Sequence, residues 1–169
     1  MFAFKNQVAK QVLRNRVATG SVRNYTAPIR DMKFLINEVH DFQSHYANMK
    51  NTGGAYAEPD MLDSILDESA KFSSNVLAPL NTVGDAVGCK YVDKHTVKTP
   101  PGFKEAYDQF TEGGWQGLSF PEKYGGQGFP SSLSIFQSDM TCTANWSWTM
   151  YPGLSKGVLT QFIAMVLMH

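Results

Sequence analysis

The stretch from Gly113 to Gly128, GGWQGLSFPEKYGGQG, limits the possible folds more than any other part of the chain. It sets Gly113, Gly114, Gly117, Gly125, Gly126 and Gly128 among the large rings of Trp115, Phe120 and Tyr124. Backbone freedom combined with apolar bulk suits an ordered loop. A helix would lose roughly 1 kcal/mol at each glycine, and a disordered linker would lack the rings. Segments with helical spacing of apolar residues flank it, so it reads as a helix-to-helix connection. Its rings either plug a core or border a ligand pocket, and the residues alone leave both open.

At 169 residues the chain suits one core of ordinary size. Fifteen basic and fifteen acidic side chains cancel, so no overall field points to nucleic acid or an acidic membrane. The balance is uneven along the chain. Lys5, Lys10, Arg14, Arg16 and Arg23 precede the first acid, Asp31, and Phe4, Val8, Val12 and Leu13 fall at helical spacing among them. That composition is expected of a mitochondrial transit peptide over residues 1–25, with a matrix location for a domain spanning 26–169. Cys89 and Cys142 have no Cys-x-x-Cys spacing and imply free thiols. The apolar run from Val158 to Met168 is too short to span a bilayer.

Periodicity predicts an all-α bundle of four to six helices with room for one small β arm. Leu35, Val39, Phe42 and Tyr46 predict one helix over 31–50, stopped by Gly53-Gly54. A second helix is expected from Glu58-Pro59-Asp60 through Leu62, Ile65, Leu66, Phe72 and Leu77, kinked or ended at Pro79, with Asn81 to Asp85 as capping or turn material. Lys90 to Lys98 permits a hairpin. Phe103, Ala106, Tyr107 and Phe110 mark a third helix, which Gly113-Gly114 ends. Leu133, Phe136, Met140 and Ala144 mark a fourth, with Trp146, Trp148 and Tyr151 near its end, where Pro152-Gly153 interrupts it. Leu154, Val158, Leu159, Phe162, Ile163 and Val166 make a fifth, apolar enough to call for a cover from further along or from other protein subunits.

No catalytic constellation follows from these residues. His40 and His45, five apart, leave a shared helix face, and His95 and His169 are isolated, so no metal site is expected. Cys142 has no basic neighbour to activate it. Gly125-Gly126-Gln127-Gly128 fits neither the dinucleotide fingerprint nor the Walker spacing, and no basic stripe for nucleic acid lies outside the first 25 residues.

Several runs, in order and with matching gaps, carry a family resemblance over about residues 30–160. They are Val76-Leu77-Ala78-Pro79-Leu80-Asn81, Thr99-Pro100-Pro101-Gly102-Phe103, Pro121-Glu122-Lys123-Tyr124-Gly125-Gly126, and Tyr151-Pro152-Gly153-Leu154. The chain resembles the N-terminal helical domain of the acyl-CoA dehydrogenase family, in its long-form, methylmercaptopropionyl-CoA dehydrogenase-like branch. The resemblance implies α,β-dehydrogenation of an acyl-CoA thioester, FAD as cofactor in the full-length family, and an electron-transfer flavoprotein as acceptor. The family's β domain, which holds much of the flavin, and its C-terminal bundle, which carries the catalytic glutamate, are expected to lie outside these residues. The expectation is therefore no catalytic or cofactor-binding residue, no bound flavin and no activity in this chain by itself. By position in the helix around the Tyr-Pro-Gly turn, Ser147, Tyr151 and Leu154 are the expected acyl-pocket residues, with Tyr124 nearby on the loop. The alternative function is a non-catalytic helical module in a mitochondrial assembly.

Overall fold

The computed structural model describes residues 25–49 and 58–167. The expected transit peptide and the Gly53-Gly54 stop lie outside that range, apart from Tyr25. The described chain is helical with one two-stranded arm, as the periodicity predicts.

Helix α1 covers Ile29–Phe34 and continues as a π turn over Leu35–Val39, and α2 covers Phe42–Ala47. The single helix expected over 31–50 is thus two. Asp41 takes a left-handed conformation (φ 44°) and accepts a bond from the amide of Ser44, which starts α2 in a new direction. A short polar side chain that caps and tolerates this region is what the break requires.

Helix α3, Pro59–Phe72, begins with Pro59 in its first turn, as its lack of an N–H favours. A π turn, Ser73–Leu77, carries it into α4, Ala78–Val87, so Pro79 does not end the helix and Asn81 to Asp85 stay helical. The amide of Ala78 reaches back to the carbonyl of Ser73 in a wider ring, so the ladder has already changed register where Pro79 lacks a donor.

Strands β1, Lys90–Asp93, and β2, Thr96–Lys98, form an exposed antiparallel hairpin. Helix α5 covers Phe103–Glu112, α6 Ser131–Ala144 and α7 Trp146–Leu167.

Helix α6 is the centre of the bundle, packing on α3, on the π turn that follows it and on α7. Two apolar clusters result. One joins Met32, Ile36, Tyr46, Leu62, Leu66 and Leu133, and the other joins Leu77, Phe103, Phe110, Ala144 and Trp148. Lys33 fastens α1 to α3 through Asp63 (3.2 Å) and Asp67 (3.1 Å).

The loop from Gly113 to Gly128 is ordered by its own backbone. Gly117 accepts from the amides of both Phe120 and Gln127, and Phe129 donates to Leu118. Leu118 is buried in the first cluster while Trp115 packs against the second, so the loop does plug the core.

Candidate functional site

Asn145 divides α6 from α7. It leaves helical geometry (φ −158°, ψ 89°), and its Oδ1 accepts from the Trp148 amide at 3.0 Å and the Ser147 hydroxyl at 2.9 Å. Its Nδ2 donates to the Leu77 carbonyl at 3.2 Å, tying this junction to the end of the π turn. Trp148 is then buried against Phe72 and Phe110, with its indole N–H donated to the Phe103 carbonyl at 3.1 Å. Because the new helix starts here, Tyr151, Pro152 and Gly153 belong to its interior. The interruption expected at Pro152-Gly153 does not occur. Removing one donor is tolerated where Pro152 is buried and its own carbonyl accepts from Gln116 Nε2 at 3.0 Å.

Fixing α7 against α5 in this way opens a cavity of about 420 Å³, lined by Thr99, Phe103, Lys104, Tyr107, Tyr151 and Ser155. The Tyr151 ring meets Phe103 edge to face at 6.3 Å, and its hydroxyl lies 3.6 Å from the Cys89 sulfur. That contact with Cys89, and then partial burial, raise the Tyr151 pKa above the ordinary phenol value, so the hydroxyl is neutral at physiological pH. Lys104 is paired with Asp108 at 2.6 Å, which leaves the aromatic wall as the dominant surface. Such an open groove can take an apolar chain along its aromatic side. Among the described residues no group of three His, Cys, Asp or Glu side chains is placed to hold a metal.

The four pocket residues expected from sequence separate. Tyr151 borders this cavity. Leu154, three residues on, is 67% exposed and belongs to an apolar stripe with Val158, Phe162, Met165 and Val166. Ser147 is exposed and spends its hydroxyl on Asn145. Tyr124 sits on the loop with the Lys123 ammonium 4.7 Å from its ring centroid, away from the cavity lining.

The glycine-rich turn offers no phosphate cradle. Its amides are consumed within the loop, from Gly125 to Glu122 (2.9 Å), Gly126 to Pro121 (3.2 Å), Gln127 to Gly117 (2.9 Å) and Gly128 to Phe120 (2.9 Å).

Sequence reasoning passed over Lys156. Half-buried on α7, it donates to the Ser134 hydroxyl at 3.0 Å. Apolar periodicity ignores a lysine, but Lys156 is the one charged side chain between Trp146 and Met168, and that isolation was the available signal.

No protein-family model matches the chain. It is 33% identical over 137 residues, 80% of its length, to 3-methylmercaptopropionyl-CoA dehydrogenase of Ruegeria pomeroyi. The matched stretch is 22% of that relative, so the chain spans about a fifth of its length.

Proposed function

We propose, starting from the relation to the acyl-CoA dehydrogenase family that this similarity supports, that these helices supply one wall of the acyl-binding chamber of a flavin-dependent acyl-CoA dehydrogenase. The observation that carries the reading is the place of Tyr151. It lies in a run that resembles the family's and borders an aromatic cavity of about 420 Å³. Leu154 and the exposed stripe of α7 are the surface on which the rest of such a chamber packs. Tyr124 and Ser147, farther from the lining, act through the loop and the α7 start that they belong to.

In the complete enzyme the flavin accepts the β-hydrogen of the substrate. The glycine-rich turn of this chain does not fit the flavin's pyrophosphate, because its amides are already bonded. The part assigned to these residues is therefore limited to the acyl chain. Phe103, Tyr107 and Tyr151 take it out of water and orient it, at about 0.8 kcal/mol for each buried methylene.

Calorimetric titration with acyl-CoA thioesters of increasing length tests this. Each added methylene is expected to tighten binding up to about fourfold until the cavity is full. Tyr151→Ser should weaken the longer thioesters about tenfold and leave free coenzyme A unaffected. Equal affinity for free coenzyme A and every thioester would sink the reading.

A further inference from the structure

A second cavity, of about 410 Å³, lies on another side of α7 between the loop and the first turn of α6. Its polar lining is Ser119, Ser131, Ser134, Thr160 and Lys156, and its apolar lining includes Phe120, Ile135 and Ile163. Among the described residues Lys156 makes no ion pair, and no carboxylate lines this cavity. Its hydrogen-bond partner is the neutral Ser134 hydroxyl, which itself donates to the Ser131 carbonyl at 2.9 Å. Burial pushes the Lys156 pKa below its ordinary value, the mark of a cation partly stripped of water without a compensating charge.

Two further features favour negative charge at this spot. Helix α6 presents its positive end here, and its cap residue, Pro130, supplies no side-chain acceptor for the first amides. Behind Lys156 lies a small cavity of about 40 Å³ that the buried Gln137 also lines. The Gln116 Oε1 atom, which belongs to a residue on the same lining, is buried and unpartnered. A small space with an orphaned acceptor suits water bridging Gln116 to the spare Lys156 donors, which holds the ammonium in place.

We propose that the larger cavity binds a small molecule with an oxyanion head, the head on the Lys156 ammonium and the Ser131 hydroxyl, and a short apolar body against Ile135, Ile163 and Phe120. This site is separate from the Tyr151 cavity and does not rest on the dehydrogenase reading.

Titration of the full chain with inorganic phosphate and with hexanoate, each against chloride at matched ionic strength and followed by amide chemical shifts, tests it. A saturable response confined to 119–121, 131–135 and 156–163 is expected. Response to phosphate alone assigns a phosphate head, and response to hexanoate assigns a carboxylate head with an apolar body. Lys156→Gln should weaken binding at least tenfold. Ile135→Glu, at an exposed position where folding is not at risk, should do the same by placing a carboxylate at the mouth. Should Lys156→Gln fail to fold, Ile135→Glu decides alone. No saturation by either probe, or wild-type affinity in the folded variants, overturns the proposal.

Discussion

Asn145 satisfies three groups with one side chain, accepting from the Trp148 amide and the Ser147 hydroxyl and donating to the buried Leu77 carbonyl. Asn145→Ala removes a helix cap and orphans a buried acceptor, so a loss of about 2–3 kcal/mol is expected from denaturant unfolding. Asn145→Asp keeps the cap but turns an oxygen toward the Leu77 carbonyl, and should recover only part of the loss. Full recovery would mean that the Leu77 bond is unimportant. Lys156 gives a prediction that depends on pH. Its pKa is lowered in the folded chain, so the folded state disfavours the charged form. The penalty is full below the folded pKa and fades as pH rises from there to the unfolded value, 10.5. Lys156→Met should therefore be more stable than the wild type at neutral pH, with the difference shrinking as pH approaches 10.5. A difference that grows with pH would contradict the account. Tyr151 was singled out in the sequence because its Tyr-Pro-Gly run resembles that of a family, and it borders a cavity. Lys156 was not, because reading by apolar spacing passes over a lone charge.

At the scale of elements, the helices that periodicity located are present, and the misreadings fall where one residue redirects the backbone. Asp41 splits a continuous apolar stripe by adopting positive φ, a choice that spacing does not encode. Pro79 and Pro152 both sit inside helices because a π turn precedes the first and burial holds the second. The sequence shows the missing donor but not the tertiary contacts that tolerate it. Asn145 is a recognisable cap residue, yet the apolar pattern running from Met140 through Trp148 hides it. The glycine loop carries a prediction of its own. Gly125 has φ +80° with open space around it, so Gly125→Ala costs about 1–2 kcal/mol for the left-handed conformation. A Cβ on Gly126 would land on the Phe120 carbonyl, which itself holds the Gly128 amide, so Gly126→Ala should cost distinctly more. Thermal unfolding of the two variants orders them, and the reverse order would contradict the packing described here.

For the whole molecule, the all-α class and the hairpin arm were readable from periodicity, whereas the cavities were not, since they arise from how α5, α6 and α7 meet. The apolar stripe from Leu154 to Val166 remains exposed on the described chain, which is the surface the chamber reading needs. The most direct test is photolabelling of the chain with an acyl-CoA carrying a diazirine near the end of its acyl chain, followed by peptide mapping. Label is predicted on the peptides holding Phe103 to Tyr107 and Tyr151 to Ser155, and excess unmodified acyl-CoA should suppress it. Label spread over unrelated surface peptides, or indifferent to the competitor, would contradict the assignment of these helices to an acyl-binding wall.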